Sequence, residues 1–318
     1  MNANGGPAMA TSDVEEIVER RRLRRRLSLW RGLAVLAAAL ALLALFWQGG
    51  TLEHYRPHVA RLAISGLITG DQKTLDLIDE IRKSKTASAL MVRIDSPGGT
   101  TSGSEALYLK LREVAEKKPV VAVMDTVAAS GGYITAIAAD HIVARGNTIT
   151  GSIGVIFSYP EFSELMGKVG VKMEEIKSAP LKAEPTPYKP LTPEVRAVTD
   201  LMVKDSFAWF KGLVAERRKL DAATVDRLAD GRVYTGRQAL TEKLIDAVGG
   251  EAEARAWLDK NRDVAATLPA VDWTVPSADA GGLGFSLANG AVKALGLGGW
   301  ADAARRVQLD GLLVVWHP

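Results

Sequence analysis

The sequence predicts an α/β fold with a largely parallel sheet from about residue 60 onward. Two apolar runs, SALMVRI over Ser88–Ile94 and PVVAVMD over Pro119–Asp125, are typical of strands that are buried on both faces. Between them, apolar residues recur at helical spacing, which indicates helices that pack one face against the sheet. Strands that alternate with helices favour parallel pairing, because a helix returns the chain to the edge where the next strand begins.

The individual elements follow one another in a clear order. A first strand, VARLAISGLI, precedes the helix KTLDLIDEIRK. The next helix, SGSEALYLKLREVAEK, is predicted to begin with a capping box formed by Ser102 and Glu105. After PVVAVMD come the short apolar helix GGYITAIAA, the strand HIVA, a glycine-rich turn and the run IGVIFS. A long helix begins at Pro193 with Thr192 as its N-cap, and RRVQLDGLLVVW is predicted to contain a final strand.

Composition excludes several classes of function. The chain has no cysteine, so disulfides, thiolate catalysis and cysteine metal sites are excluded. The net charge of +3 depends on six arginines within residues 20–26, and without them the rest would carry about −3. A general basic surface for nucleic acid is therefore not predicted.

An uncharged apolar segment follows the arginine cluster. Residues 32–52 carry no charge, and Trp30 and Trp47 bracket the apolar part as an aromatic belt would. We expect residues 30–48 to form a transmembrane anchor with a cytoplasmic N-terminus, because arginines on one flank favour that orientation. A cleaved signal peptide and a buried core helix are the alternatives.

These features divide the chain into five parts. A cytoplasmic basic tail over residues 1–29 precedes the anchor, and a linker over 49–59 contains His54 and His58, which we interpret as linker residues rather than metal ligands. The α/β domain is expected over residues 60–260. An extension over 261–318 follows, and the sequence does not define its structure.

Two short motifs place chemically useful groups at strand ends. RIDSPGGT contains Gly98 and Gly99 just after a buried strand, where glycine amides can point at a ligand and stabilise an oxyanion. The alternative is a plain Pro-Gly turn. AASGGY places Ser130 between a strand and an apolar helix, where its hydroxyl could act as a nucleophile or simply as an N-cap.

Two further motifs lie downstream. TGSIGV contains Ser152, and IKSAPLKAEPTPYKP contains Lys177, Lys182 and Lys189. A lysine is usually a solvated surface charge, and it becomes a general base only where burial favours its neutral form.

The order of DSPGG, ASGGY, TGSIGV and a lysine in IKSAPLK resembles the signal peptide peptidase A family, also called protease IV. GRVYTGRQALTEKLIDAVGG is similar to that family's downstream signature, and the layout resembles its short, membrane-anchored bacterial form. The resemblance implies a serine endopeptidase with Ser130 as the nucleophile and Lys182 as the general base. It also implies that Ser152 orients the lysine and that the amides of Gly98, Gly99 and Gly131 form an oxyanion hole. Neither a cofactor nor a metal is implied.

The same resemblance implies further properties. The fold would be the caseinolytic protease and crotonase type, built from stacked strand–strand–helix units, with C-terminal helices of the 60–260 domain joining protomers into a ring. An octamer is the ring size that the resemblance suggests. Remnant signal peptides would be the substrates, and the catalytic domain would lie outside the bacterial cytoplasmic membrane.

One departure from the family pattern concerns the base. The family often has glycine shortly before the lysine, whereas Ala179 and Pro180 stand here, so Lys177 and Lys189 remain fallback bases. Tyr133, Asp140 and His141 are interpreted as structural. A catalytically inactive membrane scaffold and a crotonase-type acyl-CoA enzyme are the competing functions.

Overall fold

A computed structural model describes residue 24 and residues 26–39, 54–275 and 312–315. The chain divides into two units, Met1–Tyr55 and Arg56–Pro318. In the first unit, residues 26–39 are helical and exposed, while most of the basic tail and residues 40–48 of the expected anchor lie outside the described residues. No helix within the described part of the chain is both long enough and apolar enough to cross a membrane.

The second unit contains one mixed sheet. Its strands, in chain order, are β1 (His58–Ile68), β2 (Ala87–Thr100), β3 (Val120–Ala129), β4 (His141–Ala144), β5 (Ile149–Gly151), β6 (Ile156–Phe157), β7 (Val233–Thr235), β8 (Ala247–Val248), β9 (Ala270–Trp273) and β10 (Leu312–Val315). Eight helices are described in this unit: α1 (Gln72–Lys83), α2 (Thr101–Ala115), α3 (Gly131–Ile137), α4 (Ser163–Lys168), α5 (Pro193–Arg218), α6 (Ala222–Leu228), α7 (Gly236–Thr241) and α8 (Glu251–Arg262).

The centre of the sheet is parallel, as the alternation of strands and helices predicted. β1 pairs with β2, β2 with β3 and β3 with β4, all in parallel. β3 changes partner along its length, since residues 121–124 pair with β4 and residues 127–129 pair with β5. β3 therefore joins two neighbouring strands, β4 and β5, before the chain enters α3.

Helices cover both faces of this sheet. In β2, Leu90, Val92 and Ile94 belong to the larger apolar cluster, which also contains residues of α1, α2, α3 and α5. Ala89 and Met91 point to the opposite face, where α8 contributes Ala254 and Leu258. Both faces of β2 are buried, which explains why its sequence is a continuous apolar run instead of an alternation.

Helix starts show where sequence reasoning succeeded and failed. Thr192 caps α5 as predicted, because its side chain accepts a hydrogen bond from the amide of Val195. Pro193 occupies the first position of the helix. The predicted capping box at Ser102 was wrong: α2 begins at Thr101, and the Thr100 side chain accepts from the amide of Gly103. The long strand β2 runs directly into this helix, so the N-cap is the last strand residue.

The first strand also starts earlier than its apolar pattern indicated. β1 begins at His58, within the expected linker. His58 is fully buried; its Nδ1 lies 2.8 Å from the carbonyl oxygen of Arg56, and its Nε2 accepts from the indole N–H of Trp273 at 3.1 Å. These contacts make His58 a structural residue that joins β1 to β9.

Candidate active site

Ser130 lies where β3 ends and α3 begins. Its φ of 55° and ψ of −116° are values that residues other than glycine seldom adopt. The surroundings hold this conformation, because the Ser130 amide donates to the carbonyl oxygen of Gly151 at 2.8 Å and its carbonyl oxygen accepts from the Ile134 amide at 2.9 Å. The hydroxyl makes no capping hydrogen bond to α3, so the residue is not an ordinary N-cap. Backbone strain held in this way is frequent at functional sites.

Strand β5 fixes the chain beside Ser130. Ala128 and Ala129 of β3 pair with Thr150 and Gly151, and the Thr150 hydroxyl donates to the carbonyl oxygen of Ala128 at 2.7 Å. Ser152 follows directly, with a φ of 50° and an amide that donates to the carbonyl oxygen of Arg232 at 2.9 Å. The structure therefore brings the TGSIGV and AASGGY motifs together.

The DSPGG motif lies inside β2, on the other side of β3, and not after the strand as the sequence indicated. The pairing of β2 with β1 and with β3 shifts register here, and we call this irregular stretch the DSPGG turn. Ser96, fully buried, pairs with Ala128 across the sheet. Its hydroxyl donates to the carbonyl oxygen of Gly66 at 2.6 Å and accepts from the amide of Gly98 at 3.0 Å. Gly98 has a φ of 109°, which a residue with a side chain rarely adopts. The glycine at this position is thus required by the turn itself.

Close approach between α3 and β2 depends on a second glycine. A Cβ atom added to Gly132 would lie 2.7 Å from the carbonyl oxygen of Ser96. Only glycine allows the first turn of α3 to rest on the DSPGG turn without displacement. The helix that follows Ser130 therefore packs directly against Ser96 of the DSPGG motif.

A separate strand lies along these glycines. Residues Val315, Val314 and Leu313 of β10 pair antiparallel with Gly98, Gly99 and Thr100, and the other edge of β10 pairs with Ile156 and Phe157 of β6. The end of β2 therefore accepts an extended backbone segment beside the DSPGG turn. The final strand predicted within RRVQLDGLLVVW is present over residues 312–315.

The three candidate lysines differ in their contacts. Lys177 Nζ lies 2.7 Å from Glu184 Oε1 and 3.1 Å from Glu175 Oε2, and the hydrogen bond that Lys177 donates to Glu184 in particular raises the pKa of Lys177. Lys189 Nζ lies 2.6 Å from Glu175 Oε2. Lys182 is exposed in a turn, and within residues 54–275 its side chain forms neither an ion pair nor a hydrogen bond. The structure does not bring Lys182 into hydrogen-bonding contact with Ser130 or Ser152.

Two cavities open near Ser152. A cavity of about 350 Å³ is lined by Ser152, Val155, Ile156, Val203 and Phe207, among others. A larger one, of about 670 Å³, lies between β6 and the first half of α5. Apolar residues form most of each lining, which suits the side chains of an apolar peptide, and charged residues are also present: Arg196 and Asp200 in the larger cavity, Lys204 and Asp230 in the smaller one.

Sequence reasoning gave no role to Ser96, although it stood in the quoted motif. Its hydroxyl holds the DSPGG turn, and no spacing rule could reveal that, because its partner Gly66 comes from β1. The residues interpreted as structural do behave that way. The Tyr133 hydroxyl donates to the carbonyl oxygen of Leu244 at 2.9 Å, Asp140 accepts from the amide of Val120, and His141 stacks on Trp257.

Comparison with known proteins gives a consistent family. The sequence model described as "Peptidase family S49" matches residues 112–265, a range that includes Ser130, Ser152 and Lys182. A candidate protease of Synechocystis sp. is 40% identical over 218 residues, which is 68% of this chain and 76% of that protein. A chloroplastic serine protease SPPA of Arabidopsis thaliana is 35% identical over 218 residues, or 67% of this chain. The match spans only 31% of the Arabidopsis protein.

One solved structure covers a similar share of the chain. A serine-to-alanine mutant of the 1510-N membrane-bound stomatin-specific protease aligns with 70% of this chain and 99% of its own, at 18% identity and a TM-score of 0.46. The parallel α/β core is visible directly in the strand pairing of the present structure.

Proposed function

Because this chain belongs to peptidase family S49, we propose that it is a serine endopeptidase in which Ser130 and Lys182 form a catalytic dyad. The observation that carries the proposal is the geometry of Ser130. This residue has a left-handed backbone at a strand–helix junction, its hydroxyl is not used for capping, and the DSPGG and TGSIGV turns flank it. Such an arrangement presents a nucleophile beside backbone amides that can stabilise negative charge.

The proposed reaction proceeds through an acyl-enzyme. Lys182 in its neutral form takes the proton from Ser130 Oγ, and the oxygen attacks the peptide carbonyl. Lys182 then gives this proton to the leaving amine as the peptide bond breaks. A water molecule then gives a proton to the same lysine and attacks the ester. The ester bond breaks as the lysine passes this proton to Ser130 Oγ, and the product leaves as a carboxylic acid that ionises in water. The serine–lysine pair is a known variant of the serine–histidine–aspartate arrangement.

Backbone amides would stabilise the oxyanion in this proposal. The candidates are those of Gly98, Gly99 and Gly131. The Gly98 amide donates to Ser96 Oγ at 3.0 Å, so it could bind an oxyanion only by exchanging that partner. Ser152, next to Gly151, is assigned the role of orienting the lysine.

The solvent exposure of Lys182 favours an active enzyme in which other surfaces cover this residue. A lysine acts as a base only when neutral, and burial favours the neutral form. Because Lys182 is exposed here, we propose that peptide binding and a homo-oligomeric ring, octameric by family resemblance, cover it. Apolar side chains exposed within residues 165–176 and on α5 support the proposal that this surface is covered in the active enzyme. They are Leu165, Val169, Met173, Ile176, Leu201 and Met202.

The proposed substrates are extended apolar peptides, in particular remnant signal peptides. The antiparallel contact of β10 with Gly98–Thr100 supports binding of an extended backbone at this edge. A transmembrane anchor over residues 30–48, with the catalytic domain outside the bacterial cytoplasmic membrane, would place the site where such peptides leave the bilayer.

The test compares the wild type with Ser130→Ala on casein, using the full chain in detergent. We expect Ser130→Ala to lose at least about a thousandfold in activity, because a dyad without its nucleophile has no acyl-enzyme route. Ser163→Ala, at a half-buried position in the first turn of α4, is the matched control and should retain activity.

A fluorophosphonate probe separates an inactive protein from an unsuitable substrate. Covalent labelling of Ser130, located by mass spectrometry, would support the nucleophile even without casein cleavage. Wild-type cleavage that survives in Ser130→Ala would refute the dyad. A wild type that neither cleaves casein nor reacts with the probe would favour the inactive scaffold.

A further inference from the structure

Two arginines bind the end of α3 that lies farthest from Ser130. Arg217 donates from Nε to the carbonyl oxygen of Ile137 and from Nη2 to that of Ala139, both at 2.9 Å. Arg112 donates from Nη1 to the carbonyl oxygen of Ala138 at 2.8 Å. Three successive carbonyls, which the helix cannot satisfy beyond its last turn, therefore each have a guanidinium partner.

This end of the helix is linked to the nucleophile through a short, rigid path. α3 has seven residues, all of them buried, and it starts directly after Ser130. Helix geometry makes it only about 10 Å long. The first turn rests on Ser96 and the last turn is held by the arginines, so a displacement at the last turn would be transmitted to Ser130. Active sites lose much of their rate when reacting groups shift by about 1 Å.

Arg217 lies in the last turn of α5, and earlier residues of this helix line the cavities of the candidate site. The first half of α5 lines the larger cavity beside β6, and Phe207 in its middle lines the cavity that contains Ser152. Phe210 and Val214 anchor the helix in the core. α5 thus forms part of the walls of both cavities and also binds the carboxyl end of α3, the helix that follows Ser130.

We propose that Arg217, assisted by Arg112, is a positioning residue that sets the place of Ser130 by holding the carboxyl end of α3. The inference rests on the proposed function and adds to it a residue that acts through the helix and does not touch the substrate. A guanidinium suits this role because its planar fork holds two carbonyls in a fixed direction, whereas a lysine ammonium is a point charge on a flexible stem.

A cation on helix carbonyls could also serve stability alone, and the chain contains a matched control for that role. Lys118 donates to the carbonyl oxygens of Ile81 and Ser84, both at 2.8 Å, at the carboxyl end of α1. The chemistry is the same, but α1 does not carry a candidate site residue. Lys118→Gln therefore reports what losing such a contact does to the fold.

The experiment compares Arg217→Gln with Lys118→Gln in the full detergent-purified chain. Three quantities are measured: the melting temperature, kcat and KM on a fluorogenic peptide chosen from a casein cleavage site, and the second-order rate of Ser130 acylation by a fluorophosphonate. We expect both variants to melt lower than the wild type. Only Arg217→Gln should lose kcat and acylation rate, by roughly 10- to 100-fold, with KM changed less than about twofold.

Equal kcat and acylation rates in Arg217→Gln and Lys118→Gln would overturn the inference. Should Arg217→Gln fail to fold, Arg217→Lys decides, since one carbonyl contact can be kept: an intermediate kcat supports the role and an unchanged kcat overturns it. A wild type that the probe labels at Ser130 but whose peptide cleavage survives in Ser130→Ala would refute the proposed function alone. The acylation rates of the variants would then still decide the role of Arg217.

Discussion

The nucleophile region, residues 95–152, and the lysine segment, residues 158–191, are built in different ways. In the nucleophile region, Ser130 is almost fully buried, and strands on two sides hold its backbone. Buried hydroxyls of Ser96 and Thr150 bind neighbouring carbonyl oxygens there. In the lysine segment most side chains are exposed, and Lys177 and Lys189 are held by ion pairs with glutamates.

This difference separates two requirements of the proposed dyad. The position of the nucleophile is fixed by the fold of a single chain, since the backbone hydrogen bonds of Ser130 and the strand pairings beside it involve β2, β3, β5 and α3. The state of the base depends on its solvent exposure, and Lys182 is exposed. A protease organised in this way would have a preformed nucleophile, and its activity would depend on whatever covers the lysine.

The strongest test of the comparison lies within the lysine segment. We expect Lys182→Met to reduce kcat about 100- to 10,000-fold, the range typical for loss of a general base. Lys177→Met should reduce it only a few-fold, because Lys177 is ion-paired with Glu175 and Glu184, and these contacts keep it charged. Steady-state kinetics on the fluorogenic peptide measure both.

Labelling by the fluorophosphonate shows whether both lysine variants keep an intact nucleophile region. Circular dichroism melting checks that each is folded. The reverse order of effects, with Lys177→Met the more damaging, would assign the base to Lys177 and require its ion pairs to open in the active enzyme.

A second test acts on the nucleophile region through a single methyl group. Gly132→Ala places a Cβ 2.7 Å from the carbonyl oxygen of Ser96, so the start of α3 must move. We expect kcat to fall by about 100-fold, because the displaced helix carries Ser130. Gly167→Ala in α4 is the matched control, since its Cβ would have no atom within 4 Å, and activity should be unchanged. An active Gly132→Ala with the wild-type acylation rate would show that this contact does not set the nucleophile.

Local features of the chain could be predicted from the sequence, whereas contacts between distant segments could not. The buried strands, α3 and the long helix after Thr192 could be predicted, because their apolar patterns and caps are local. Ser96, Arg112 and Arg217 could not receive roles, since their hydrogen bonds join segments 26–80 residues apart. The capping box at Ser102 failed because the long strand β2 runs directly into α2, which the local pattern does not show.

The environment of Lys182 could not be predicted from the sequence either. Spacing identifies the lysine, whereas its exposure depends on which surfaces fold over residues 178–183. Ala179 and Pro180 lie in the turn that leads to Lys182, and the Lys182 amide donates to the carbonyl oxygen of Ala179 at 3.1 Å. This turn is formed by the backbone alone, so it does not fix the direction of the ammonium.

The smallest effects concern stability and compare one buried hydrogen bond with the partly exposed ion pairs of Glu175. Tyr133→Phe removes the bond to the Leu244 carbonyl oxygen and leaves that oxygen unpaired, which should cost about 1–3 kcal/mol of unfolding free energy. Burial raises the pKa of Tyr133 above its ordinary value, so the phenol remains a neutral donor at working pH. Glu175→Gln removes the charge that pairs with Lys177 and Lys189, and we expect a smaller drop in melting temperature, because partly exposed ion pairs contribute little. Thermal unfolding at low and high salt measures both effects. If Glu175→Gln lowered the melting temperature as much as Tyr133→Phe, and did so in a salt-dependent way, ion pairs would fix the lysine segment as firmly as the strands fix Ser130.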